Sequence, residues 1–124
     1  MIKIIWGLKR KPGTTMEQFR NHYENSHVRL AQKYAGQYLL DYRRNYVVDS
    51  KIFKDRVEQD IPFGWDVITE MRVRDRASCD AMMKVFSEGE TGKLFEEDEL
   101  RFIDTASVLL VECEEVDTGP NGPY

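Results

Sequence analysis

The chain has 124 residues, 41% hydrophobic and 32% charged, with a net charge of −4. That describes one ordinary folded domain with no room for a second core. It lacks the clustered excess of Lys and Arg that a nucleic-acid surface needs, so no nucleic-acid partner is expected. No apolar run approaches the ~20 residues of a membrane span, so no membrane partner is expected. The two cysteines, Cys79 and Cys113, lie far apart without metal-ligand spacing. A reduced, cytoplasmic setting follows as the expectation.

Residues 2–9 are rich in β-branched and aromatic side chains and read as a strand. A signal peptide would need a longer apolar stretch and a small-residue cleavage site. Ile2, Ile4, Trp6 and Leu8 share one face of this strand; Lys3, Ile5, Gly7 and Lys9 share the other. Ile5 and Gly7 make the second face apolar or small in its middle, which predicts cover on both sides. Gly7 also leaves space for a close approach to the backbone.

A basic turn ends in Pro12-Gly13, and Thr14 precedes Glu17 at capping-box spacing. Met16, Phe19, Tyr23, Leu30 and Tyr34 then recur at helical intervals, predicting a helix over 15–34 that ends at Gly36. Asn25-Ser26 favours a bend within it. His22 and His27 stand five residues apart, about 140° around a regular helix. That predicts His27 facing inward and His22 facing solvent.

Residues 39–48 form the second strand, with Tyr42, Arg44, Tyr46 and Val48 alternating against Arg43, Asn45 and Val47. The connection 49–62 is polar and long for a hairpin; Ile52, Phe53 and Val57 suggest a short packed-down helix within it. Residues 63–74 form the third strand, with Trp65, Val67, Thr69, Met71 and Val73 on one face and Asp66, Ile68, Glu70 and Arg72 on the other. Asp75 caps a second helix carrying Cys79, Met82, Met83 and Phe86 at i, i+3, i+4, i+7. Ser87-Glu88-Gly89 breaks it, a short acidic helix spans 91–102, and the fourth strand spans 105–115. A domain over 1–116 and a loose tail over 117–124 are expected.

The order is β-α-β-β-α-β, which packs as a ferredoxin-like α+β sandwich with two helices on one face of an antiparallel sheet. Ile5, Ile68 and the apolar residues of the last strand remain to be covered on the other face. A second copy of the chain is the economical cover, so a homodimer is expected.

Several segments resemble the EthD domain family: the strand end Leu8-Lys9-Arg10-Lys11-Pro12-Gly13, the helix entry Glu17-Gln18-Phe19, and Tyr23-Glu24-x-x-His27-Val28-x-Leu30-Ala31. Trp65-Asp66-Val67-Ile68-Thr69-Glu70 and Asp98-Glu99-x-x-Phe102-Ile103-Asp104 continue the match in order over most of the chain. The resemblance implies a dimeric α/β barrel with a ligand site between each sheet and its helices. It also implies varied chemistry, from proteins encoded beside ether-degrading cytochrome P450 systems to cofactor-free decarboxylases of polyketide pathways. Val28-Arg29 stands where the family often has Ala-Pro, and the 49–62 connection is long; these departures bear on the helix bend and on the pocket lid.

His27 is the leading catalytic candidate, because imidazole both accepts and donates a proton near neutral pH. The alternative is a histidine that pins the helix bend on a backbone carbonyl. Asp66 and Glu70 lie on one strand face, roughly 13 Å apart by the rise per residue, too far to share a proton. Ion pairing with Arg43, Arg44 or Arg72 is the favoured reading of that pair, with Asp66 retained as a catalytic candidate. Tyr46 offers a hydroxyl for orienting a ligand. Trp6, Phe19, Tyr23, Tyr34 and Trp65 supply aromatic lining for a hydrophobic small molecule, although most are expected in the core. The basic run 9–11 and the acidic run 96–99 read as solvated surface. No GxSxG, phosphate loop, HExxH or CxxC occurs, so no metal or cofactor is expected. The expected function is cofactor-independent proton transfer on an oxygenated hydrophobic substrate: decarboxylation, dehydration or isomerisation. An oxidoreductase or monooxygenase-accessory role and a non-catalytic carrier stand as alternatives.

Overall fold

The computed structural model describes residues 1–123. β1 (Ile2–Leu8) leads through the Pro12-Gly13 turn to α1 (Met16–His22). A wide π turn, Tyr23–His27, joins α1 to α2 (Val28–Ala35), and a 3-10 turn, Gly36–Tyr38, feeds β2 (Leu39–Tyr46). A hairpin of β3 (Lys51–Lys54) and β4 (Val57–Asp60) precedes β5 (Val67–Val73). α3 (Arg76–Ser87), α4 (Gly89–Phe102) and β6 (Leu109–Cys113) complete the chain. The four long strands pair antiparallel in the order β2-β5-β1-β6. With the hairpin set aside, this is the ferredoxin-like α+β arrangement that the element order predicts.

The helices cover one face. On β5 the burial alternates strictly: Val67, Thr69, Met71 and Val73 are buried, and the residues between them are half-buried. Leu8, Val67, Phe19, Tyr23, Val28 and Phe102 form one core cluster at the end of the sheet under α1. Ile4, Met71, Val73, Ala35, Cys79 and Met82 form the other, under α2 and α3. Each large apolar side chain so buried contributes roughly 1.5–3 kcal/mol before the entropy of ordering is counted.

Local signals shift in five places. The capping box falls one residue later than Thr14 and Glu17: the Thr15 hydroxyl accepts the Gln18 N–H at 3.1 Å, and the Gln18 side chain accepts the Thr15 N–H at 2.9 Å. The expected helix within 49–62 is instead the β3–β4 hairpin. Its turn residues Asp55 and Arg56 both have positive φ, 50° and 65°, as a two-residue hairpin turn demands. The third strand starts at Val67 rather than at 63, because Gly64 turns the chain at φ 90°. Trp65 therefore leaves the helix-covered face and packs beside Gly7, where a Cβ would stand 3.1 Å from its ring. The final helix starts at Gly89 rather than at 91, and the last strand covers only Leu109–Cys113. Residues 114–123 carry no regular structure, and Tyr124, the end of the expected tail, lies outside the described residues.

Candidate functional site

A cleft opens between the helix-covered face of the sheet and the helices. Trp6, Tyr42 and Met71 rise from three strands. Tyr23, His27 and Ala31 come from the π turn and α2, and Phe86, Phe95 and Glu99 from α3 and α4. The walls are apolar and aromatic with a few polar tips, the composition of a small-molecule site.

The π turn decides what the first helix presents. The Val28 N–H bonds the Tyr23 carbonyl, an i→i+5 closure. A turn that closes on the fifth residue brings residue 27 back toward the side of residue 22. The separation of about 140° expected for a regular helix is thereby lost. His22 is not simply a solvent-facing residue. The His22 Nε2–H donates to Asp98 Oδ1 at 3.0 Å, and the His27 Nδ1–H donates to Asp98 Oδ2 at 3.0 Å. The Ser26 hydroxyl adds a third bond to Oδ1 at 2.7 Å, and Arg101 approaches the same oxygen at 3.5 Å.

Asp98 is 1% exposed. Burial opposes its ionisation, but the bonds from His27, Ser26 and His22 outweigh that cost and hold its carboxyl well below the usual range. A carboxylate fixed on Nδ1–H sets the tautomer and the plane of the imidazole. Phe102, Phe95 and Tyr23 hold the His27 ring from three sides, with centroids 5.0, 5.6 and 5.7 Å away. Among the described residues Nε2 of His27 has no protein partner. Glu99, the next residue on α4, also lines the cleft. Burial pushes its carboxyl up, the neighbouring charges of Asp98 and Glu96 add to this, and His27 counters it.

The other expected site residues disperse. Trp6 and Tyr23 line the cleft. The Tyr23 hydroxyl is bonded to that of Thr69 at 2.7 Å. Phe19 is buried beneath, stacked on Phe102 at 5.7 Å. The Tyr46 hydroxyl is committed elsewhere: it donates to Glu24 at 2.6 Å, beside the Arg44 guanidinium that also binds Glu24. Tyr34 lies half-buried under the Lys33 ammonium on α2, away from the cleft. Trp65 belongs to the opposite face of the sheet, stacked under Lys9. Asp66 accepts the Arg10 N–H at 2.7 Å near the mouth of a separate, open depression. Glu70 pairs with Lys3 at 2.7 Å rather than with an arginine.

Asp98 and Glu99 are what the sequence reading passed over by treating 96–99 as a solvated acidic face. The available signal was spacing. Phe95, Asp98 and Phe102 stand at i, i+3, i+7, which puts a carboxylate in the apolar stripe of α4.

Among curated proteins none matches this chain. Solved structures do. An ethyl tert-butyl ether D (EthD) family protein of Bacillus halodurans C-125 matches at TM-score 0.61 and 23% identity, over 94% of this chain and 100% of that one. An EthD-like protein of Ralstonia eutropha JMP134 matches at TM-score 0.70 and 14% identity, over 96% and 95%. A protein of Thermobifida fusca YX described as dimeric and ferredoxin-like matches at TM-score 0.56 and 10% identity, over 90% and 88%. At such identities these likenesses establish the fold. The family model for the EthD domain matches residues 11–106, and with that match over most of its length the chain belongs to the EthD family.

Proposed function

We propose that this protein is a cofactor-independent enzyme that moves a proton on a hydrophobic, oxygenated small molecule, with His27 as the general acid or base. The observation that carries this reading is the buried Asp98 carboxylate on Nδ1 of a histidine that lines an apolar cleft. With Asp98 ionised, Nδ1 keeps its proton and Nε2 carries the lone pair, ready to take a proton from a bound substrate. Glu99, in the same cleft with an upward-shifted carboxyl, is suited to give one back. Base and acid in one apolar site fit decarboxylation, dehydration or isomerisation. Aromatic walls favour an aromatic or polyketide-like substrate.

The working form in this proposal is a homodimer. The sheet face away from the helices carries Ile5, Ile68, Leu109 and Val111 around Gly7, and Val111 is 38% exposed. The two cysteines are free, which suits a reducing cytoplasm.

The probe for the reaction is 2-tetralone, an aromatic ketone with acidic C–H bonds next to its carbonyl. Wild-type protein in deuterated buffer should speed deuterium entry at those carbons, read by NMR. His27→Ala should slow that exchange about a hundredfold or more, the usual span of a general base. A folded His27→Ala protein that exchanges at the wild-type rate would remove His27 from the mechanism. It would leave the bend-pinning role, with a stability loss of about 1 kcal/mol for the hydrogen bond.

A further inference from the structure

Two of the cleft's polar groups lack a well-placed partner among the described residues. The indole Nε1 of Trp6 and the hydroxyl of Tyr42 are both buried, and neither meets a partner at hydrogen-bonding geometry among the described residues; burial and the neighbouring Tyr23 hydroxyl push the Tyr42 hydroxyl well up. Both side chains line the cleft that holds His27. An unpaired buried donor is costly, and native proteins rarely keep one without a reason. The indole N–H only donates, so whatever satisfies it must present an acceptor. The Tyr42 ring is fixed by the Arg44 guanidinium stacked on it at 4.7 Å. The Trp6 ring meets the edge of Phe86 at 6.4 Å. Both donors are thus held on packed rings rather than on mobile loops.

The sign of the site matters as much. Among the described residues no lysine or arginine lines this cleft, and Glu99 brings a carboxyl into it. A permanently anionic headgroup, such as a phosphate, would meet no counter-charge there. A neutral carbonyl oxygen that becomes negative only during reaction suits fixed neutral donors.

We propose that Trp6 and Tyr42 are the oxygen-binding donors of this site, and that its substrate is a neutral, planar carbonyl compound with an acidic C–H beside the carbonyl. This rests on the reading of His27 as the base. His27 Nε2 takes the C–H proton, the C–H electron pair becomes a C=C bond, and the C=O π pair moves onto oxygen. The Trp6 N–H and Tyr42 O–H both donate to the enolate oxygen so formed. Reprotonation at carbon regenerates His27 and returns the electrons, so the step needs no oxidant and no co-reactant.

The chain has only two tryptophans, so its indole N–H signals can be followed singly, with Trp6→Phe supplying the assignment. Titration with 2-tetralone should move the Trp6 indole proton and leave that of Trp65 in place. Tetralin, the same skeleton without the oxygen, should move neither. Trp6→Phe and Tyr42→Phe should each slow deuterium exchange into 2-tetralone by about a hundredfold, the usual effect of losing one such donor. Both should also weaken 2-tetralone binding, and the double variant should bring its affinity down to that of tetralin. His27→Ala should slow exchange about a hundredfold or more while still binding 2-tetralone and moving the Trp6 signal. If 2-tetralone exchanges normally in both phenylalanine variants, or saturates the protein without moving the Trp6 signal, the donor assignment is overturned and the role of His27 stands. If wild-type protein neither exchanges nor binds 2-tetralone, the donor assignment and the proton-transfer reading fall together.

Discussion

Asp98 sits where the packing of α4 against the π turn would take an apolar side chain, and three side chains converge on it. Its folded carboxyl titrates well below the unfolded value of about 3.9. The sign follows by linkage. A depressed carboxyl stabilises the fold at pH values above its unfolded pKa, and that contribution drains away as pH falls toward the folded pKa. Asp98→Asn should cost about 3 kcal/mol at neutral pH, because it leaves two imidazoles and a hydroxyl facing a neutral amide. It should also flatten the fall in stability below pH ~4, as denaturant melts across pH would show. Glu99 has the opposite sign. Its raised carboxyl makes ionisation in the cleft unfavourable, so stability declines as pH rises above the unfolded value near 4.3. Glu99→Gln should raise the melting temperature at neutral pH while lowering exchange into the ketone probe, the usual opposition of site chemistry and stability. A variant that melts lower would mean the carboxyl is compensated by a bond the structure does not contain.

At the scale of elements, the π turn is the device that makes the site. Without the extra residue, α1 and α2 would be one regular helix and His22 would swing away from Asp98. With it, Phe19 and Tyr23 bury on one side of the turn and Val28, Ala31 and Ala35 on the other. The α3–α4 corner is equally specific. A Cβ at Gly92 would stand 2.6 Å from the Ser87 carbonyl carbon and 2.9 Å from its oxygen, which is backbone and has little freedom to yield. Gly92→Ala should therefore destabilise by about 1–3 kcal/mol, although alanine is the better helix former by itself. Chemical denaturation of the variant checks this; an unchanged midpoint would mean the corner opens freely. The β3–β4 hairpin stands apart from this economy. All eight of its strand residues are exposed, and among the described residues its strands pair only with each other. Two-stranded hairpins are marginal in water, so it owes its order to local bonds such as the Lys51 pairs with Glu58 and Asp60 at 2.8 Å.

For the molecule as a whole, the uncovered sheet face sets the assembly prediction. Its polar margin is already paired within the chain: Lys3 with Glu70 and Glu115, and Arg72 with Asp41 and Glu115. The apolar middle is not. Light scattering should report a dimer at micromolar concentration, and Val111→Glu, placing a charge in that middle, should shift it to monomer. A stable wild-type monomer would sink the dimer. No helix among the described residues is long and apolar enough to cross a membrane.

What the sequence determined by itself was whatever depends on period and local bonding. Alternation of two placed Val67, Thr69, Met71 and Val73 on the covered face, the 3.6-residue period placed Phe19, Tyr23, Cys79 and Met82 inward, and the element order specified the ferredoxin-like sheet. The EthD family was legible in motifs spread along the chain. What only the tertiary structure decided was where a local rule is overridden by packing. A bend at Asn25-Ser26 was legible, but its closing as a π turn at Tyr23–His27 was not, so the convergence of His22 and His27 was hidden. The carboxylate they meet lies more than 70 residues further on, and sequence distance says nothing of a contact that two helices create by packing on one sheet. Trp65 likewise looked like one more member of an alternating strand, until the turn at Gly64 carried it to the other side.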